Sequence, residues 1–151
     1  MKYSFRLSEL EDLDIELNGK KNEKGEIVEA GLLDTVLNLK LKFLLSTLND
    51  VITPYRTKTI EYRNKLIYKY GTLNPDTNIP GIPVLQINDD GTQIPHPTYV
   101  KYDDMYRKYT SKSVTIESYP IDLDLLATIA RRERFEMLFK YITQQIEEEA
   151  N

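Results

Sequence analysis

Few residues in this chain are of types that carry chemistry, and their spacing is uninformative. The only histidine, His96, sits between Pro95 and Pro97. Imidazole moves protons or holds metals only with partners that the fold brings to it. A lone histidine in a Pro-rich segment therefore reads as an exposed loop residue. Carboxylates come in close pairs: Asp12 with Asp14, Asp89 with Asp90, Asp103 with Asp104, and Asp122 with Asp124. General acid–base work needs two carboxyls in different environments across a cleft, which near neighbours do not supply. Calcium would want a D-x-D-x-D-G loop with a distant Glu, and Asn88-Asp-Asp-Gly91 lacks that spacing. Turn and helix-start roles account for each pair. There is no cysteine, which excludes disulfides, thiolate nucleophiles and thiolate–zinc sites. The 6 glycines form no G-x-x-x-x-G-K-[ST], G-x-G-x-x-G or G-x-S-x-G pattern. The sequence predicts no enzyme, no cofactor and no metal.

What remains is interaction chemistry. Residues 40–70 carry 7 basic and 2 acidic side chains, in a chain with 20 basic and 24 acidic overall. Lys58, Arg63, Lys65 and Lys69, with Tyr55, Tyr62, Tyr68 and Tyr70 interleaved, could in principle contact phosphates and stack on bases. The sequence pI of about 5.1 argues against a dedicated nucleic-acid binder. Any such affinity is expected to be weak and non-specific. The charged face could instead meet acidic partners, either the chain's own N-terminal region or another subunit. Tyr99, Tyr102, Tyr106 and Tyr109 form a second stripe, at steps of 3, 4 and 3. Tyrosine buries area while keeping a polar tip, so these rings suit a protein–protein contact or packing within the monomer equally well. The candidate interface is thus Arg56, Arg63, Lys65, Lys69, Tyr99, Tyr102, Tyr106 and Tyr109.

The elements that position these residues follow from periodicity. Tyr3, Phe5 and Leu7 alternate as a half-buried strand, and Ile15 and Leu17 repeat the pattern before Asn18-Gly19. Ile27-Val28 follows the Lys24-Gly25 turn. A short helix opened by Ser8–Glu11 as a capping box is the alternative. Leu37, Leu41, Leu44, Leu48, Val51 and Tyr55 then mark a long helix that Gly71 ends. Leu37 to Phe43 also alternates strictly, which suggests an extended lead-in near Leu39–Lys42. Pro54 lacks an amide and clashes with the preceding turn, so a kink or break is expected at Thr53-Pro54. Residues 84–94 read as a hairpin around Asp90-Gly91. Thr98 to Lys112 reads as helix, Val114 to Ile116 as strand, and Leu123 onward as helix in two pieces.

A length of 151 residues suits one domain. The first 14 residues turn acidic where a secretion signal would be apolar, and no 18-residue apolar run could span a membrane. Synthesis in the cytosol is expected. The domain reads as an acidic β-like arm at 1–30, a long kinked helix at 32–71, a Pro-rich hairpin loop at 72–97, and helix-strand-helix at 98–151. The segments 1–30 and 72–97 are expected to be contact arms that become fully ordered only in an assembly.

The order of Leu37–Asn49, Glu61-Tyr-Arg-Asn-Lys-Leu-Ile-Tyr-Lys-Tyr-Gly71, the Asp-Gly turn, Tyr99–Tyr109, Ser113–Glu117, Ile121-Asp-Leu and the closing helix through Phe135–Ile142 resembles a group of small tailed-bacteriophage proteins. The resemblance covers residues 32–145, and its motifs are structural patterns without a catalytic signature. The first 30 residues and the 72–97 insert depart from it. It implies a virion component or assembly factor, made in the host cytoplasm and found in the virion, and it transfers no functional residues. Other phage structural proteins, or further copies of the chain, would be the partners. A small phage regulator that binds a host protein or nucleic acid is the alternative.

The expected fold is α+β, with the kinked helix packed on later antiparallel helices. A small antiparallel sheet would draw on the N-terminus, the 84–94 hairpin and residues 113–118. Leu37, Leu41, Leu44, Leu48, Val51, Tyr55, Leu66, Leu125, Ile129, Phe135, Leu138 and Ile142 are the expected core.

Overall fold

The first alternation behaves as its spacing dictates. In the computed structural model, which describes residues 2–73, 75–126, 129 and 135–150, strand β1 (Lys2–Arg6) buries Tyr3 and Phe5 and exposes its polar positions. Helix α1 (Leu7–Asn18) follows without a loop, so Ile15 and Leu17 are helical and not a second strand. Helical spacing wins here because Leu7, Leu10, Leu13 and Leu17 together form one buried stripe. Glu9 fixes the start: its Oε1 accepts the Arg6 amide at 2.9 Å, the reach-back of a capping box.

A hairpin of β2 (Lys20–Lys21) and β3 (Ile27–Glu29) comes next. At its base the chain passes close to itself. A Cβ on Gly31 would lie 2.4 Å from the Gly19 nitrogen and from the Leu17 oxygen, so only glycine fits there. After α2 (Leu32–Thr35), helix α3 (Leu39–Tyr70) runs unbroken through Pro54. The extended lead-in is absent because Asn38 starts the helix, its Oδ1 accepting the Leu41 amide at 3.0 Å. Neither does the chain break into two helices at Pro54. The missing amide leaves the Asp50 carbonyl without a helical donor, but Asp50, Thr53 and Pro54 are all exposed, and water can satisfy that group.

Two short pairs follow: β4 (Thr72–Leu73) with β5 (Pro80–Gly81), and β6 (Leu85–Ile87) with β7 (Gln93–Pro95). Gly91, at φ +84°, closes the second around Asn88–Thr92, as the sequence predicts. Helix α4 (Pro97–Thr110), strand β8 (Ser113–Glu117) and helices α5 (Leu123–Leu126) and α6 (Glu136–Ala150) complete the described chain. The fold is α+β, with a long helix and small antiparallel sheets. Among the described residues these strands make no single sheet: β8 pairs with β1, Tyr3 opposite Ile116 and Phe5 opposite Val114, while β6 and β7 pair with each other alone.

The chain divides into two compact units where one domain was expected, Met1–Arg56 with Ser113–Asn151, and Thr57–Lys112. The first holds nearly all of the described core. Tyr3, Phe5, Leu10, Leu13 and Leu17 are buried, so the stretch from β1 through α1 is core and mostly helix where an acidic β-like arm was expected, while residues 20–30 form the exposed β2–β3 hairpin. From the rest of the chain Leu41, Leu48, Ile52, Ile121, Leu138 and Ile142 join that core. In Thr57–Lys112 only Thr59, Leu66 and Thr110 are buried among the described residues. Of the expected core, Val51, Tyr55 and Leu125 are half-buried, and Leu37, between α2 and α3, is 94% exposed.

Candidate interaction surface

The eight candidate interface residues separate into two groups with different work. Arg56 is committed inside its own unit. Its guanidinium lies 3.5 Å from Glu11 and 3.3 Å from Asp14 on α1, and its side chain is 19% exposed. The acidic N-terminal region is thus the partner of this end of the basic helix. Asn18 strengthens the same junction, donating to Asp14 at 2.9 Å and to Asn49 on α3 at 2.8 Å.

In the other unit, Arg63, Lys65 and Lys69 are exposed on the second half of α3. Among the described residues they have no ion pair, and Lys69 lies 5.2 Å from the centre of the Tyr70 ring. Tyr99, Tyr102, Tyr106 and Tyr109 are half-buried along α4. Tyr109 stacks on Tyr62 of α3 at 4.1 Å, and the Tyr70 hydroxyl reaches the Met105 Sδ at 3.2 Å. Rising numbers on α3 meet falling numbers on α4, so the two helices run antiparallel. Tyr102 is 6.0 Å from Tyr106 and 6.2 Å from Tyr99, continuing a ladder of rings. Packing of α4 on α3 thus engages one end of the stripe.

His96 and several of the singled-out aspartates have structural occupations. His96 caps α4, its Nδ1 accepting the Thr98 amide at 3.1 Å with Pro97 in the first turn. Asp103 and Asp104 pair with Arg107 and Lys108 one turn along α4, and Asp122 with Lys40. Asp90 accepts the Thr92 amide within the hairpin turn, and the Thr92 hydroxyl, with that amide, holds its carboxyl below the usual range. Among the described residues no group of three His, Cys, Asp or Glu is placed to hold a metal. No described helix is long and apolar enough to cross a membrane.

Two carboxylates that the sequence did not single out organise the end of the fold. Glu16 on α1 caps α6 from outside, accepting the amides of Met137 at 2.9 Å and Leu138 at 3.1 Å. Burial pushes its carboxyl up to about 7; the two amides oppose that shift, and Asp12 and Glu136 add to it. Glu9 bonds Lys140 of the same helix. Burial raises its pKa too, but Lys140 and Arg6 outweigh burial and leave it below the ordinary value.

The uncovered apolar residues are the other feature. Leu37 just before α3, Leu39 and Phe43 in its first turns, and Leu73, Ile79, Val84, Leu85 and Ile87 around the small hairpins are all exposed. A signal for the first group was present. The strict alternation from Leu37 to Phe43 fits no single helical stripe, and on a helix it sends Leu39 and Phe43 away from the buried face. No family model matches the chain, and neither does a curated protein or a solved structure.

Proposed function

We propose that this chain is a non-enzymatic structural or assembly component of a tailed-bacteriophage particle, acting through repeated protein–protein contacts. The observation that carries the contact reading is the exposed apolar set on α3 and the 72–97 hairpins. Large apolar side chains grouped on short, two-stranded elements gain stability by being covered. The structural use of His96, Asp14, Asp90, Asp103, Asp104 and Asp122 supports a role without catalysis. The phage attribution rests on the resemblance over residues 32–145.

Mass spectrometry of purified virions tests the reading. A chain present at a fixed copy number per particle supports it. A chain made during infection but absent from particles would favour a regulator that binds a host protein or nucleic acid, for which exposed Arg63, Lys65 and Lys69 would be the first contacts to test.

A further inference from the structure

The first turns of α3 are apolar on two sides. Leu41, Leu44, Leu45 and Leu48 are buried. At 100° per residue, Leu39 and Phe43 lie on the opposite face, 82% and 63% exposed. Lys42 flanks them on one side and Lys40 on the other. Lys42 has no ion pair among the described residues, and Lys40 reaches exposed Asp122 at 2.9 Å. Large apolar side chains grouped on an exposed face mark a surface that a partner covers. This face is therefore an apolar ridge edged with positive charge.

The β6–β7 hairpin has the complementary character. Leu85 and Ile87 project from one face together with Gln93 and Pro95, and they are 55% and 70% exposed. Residues 84–95 contain only two charged side chains, Asp89 and Asp90, both exposed at the turn. The hairpin is held ready for presentation. The His96 amide donates to the Val84 carbonyl at 2.9 Å across its base, and Pro83, Pro95 and Pro97 restrict its ends. A two-stranded hairpin with an apolar face uncovered is marginal in water.

We propose that the β6–β7 hairpin of one copy docks on the outer face of the first turns of α3 in a second copy. Leu85 and Ile87 cover Leu39 and Phe43, and Asp89 and Asp90 face Lys40 and Lys42. The pairing names the contact that the assembly reading above requires, and rests on it to that extent. Charge selects a second copy as occupant: the one sequence supplies an apolar hairpin with an acidic tip and an apolar helix face with basic edges. Because the two surfaces differ, each joined pair keeps one of each free. The contact is heterologous and propagates into a ring or an open chain.

Light scattering on the full chain and two double variants tests this. The helix-face variant is Leu39→Ser with Phe43→Ser, and the hairpin variant is Leu85→Ser with Ile87→Ser. All four residues are exposed, so thermal midpoints should stay near that of the unmodified chain. The unmodified chain should self-associate as concentration rises, and each variant alone should remain monomeric. Mixed, the two variants should form a 1:1 dimer that grows no further, since one intact hairpin then meets one intact helix face. Lys40→Glu with Lys42→Glu should weaken association by at least about tenfold, and adding Asp89→Lys with Asp90→Lys, which reverses the whole charge pattern, should restore it. A monomeric unmodified chain, a variant that still self-associates, or a mixture that gives no dimer would overturn the contact. Virion mass spectrometry separates the two ideas. A chain present in particles whose variants fail to complement sinks this contact alone, and a complementing pair absent from particles sinks the phage-structural reading alone.

Discussion

The rings of Tyr3 and Tyr141 stack at 3.9 Å, and both side chains are fully buried, tying the first strand to the last helix. The Tyr141 hydroxyl also donates to the Tyr119 carbonyl at 2.5 Å, and burial pushes its pKa upward. Tyr141→Ala removes a large buried ring and should cost about 3–5 kcal/mol in urea unfolding. Tyr141→Phe keeps the stack and should cost only about 1 kcal/mol for the lost hydrogen bond. Equal losses in the two variants would show that the stack contributes little.

Glu16 gives the protein a pH-dependent stability with a defined sign. Its carboxyl titrates at about 7 in the folded chain against an ordinary value of 4.5, because ionising it means charging a buried group. Its contribution to stability is therefore full below 4.5 and is lost as pH rises through about 7. Urea midpoints should fall between pH 5 and pH 8 (roughly the span of this titration), and Glu16→Gln should flatten that slope. An unchanged slope in the variant would place the titration elsewhere.

Arg56 bridges two carboxylates in a mostly buried setting, so its loss leaves Glu11 and Asp14 repelling each other. Arg56→Ala should cost about 2 kcal/mol, between the values typical of exposed and of buried pairs. Lysine cannot span both acids with a planar fork, so Arg56→Lys should recover only part of this. Urea unfolding at low and high salt would measure it, and a loss that does not shrink with salt would mean that packing dominates.

The parts of this fold that were legible in the sequence are those where one period dominates. Tyr3 and Phe5 on β1, the stripe from Leu41 to Leu48 on α3 and the turn at Gly91 all read directly. Local pattern misleads where two periods overlap. Ile15 and Leu17 alternate, but the longer-range spacing of Leu7, Leu10 and Leu13 outweighs them. Leu37 to Phe43 alternates within a helix, and the conflict marked a second apolar face. Tertiary hydrogen bonds left no local trace: nothing near Glu16 says that it caps a helix more than 120 residues later. Arg56 pairs with Glu11 and Asp14 of the acidic N-terminal region, one of the two kinds of partner that the charge of the basic helix allowed, and Tyr109 of the tyrosine stripe stacks on Tyr62 within its own unit.

Pro54 is tolerated because its neighbours are exposed, so the helix should gain from its removal. Proline in a helix interior costs about 3 kcal/mol, partly offset by about 1 kcal/mol from the narrowed unfolded chain. Pro54→Ala should therefore stabilise the protein by on the order of 2 kcal/mol in urea unfolding. A destabilised variant would mean that the proline shapes α3 for packing on either side of it.

Hydrogen exchange should separate the first residues of the chain from the 72–97 segment. Main-chain protection follows how much of the core must open to free an amide. Strand β1 pairs with β8 over five residues and buries Tyr3 and Phe5, and α1 buries five side chains. Their amides should exchange only through global unfolding, in the free protein as in an assembly. The amides of β6 and β7 sit in a hairpin whose residues contribute none of the buried core, so local opening exposes them at little cost. In the free protein they should exchange at least about a hundredfold faster than those of β1, equivalent to an opening free energy lower by about 2.7 kcal/mol. At concentrations where chains associate, or in purified particles, β6 and β7 should slow while β1 stays unchanged. Equal protection of β6 in free and assembled protein would mean that the hairpin is stable uncovered, and the docking contact would lose its physical motive.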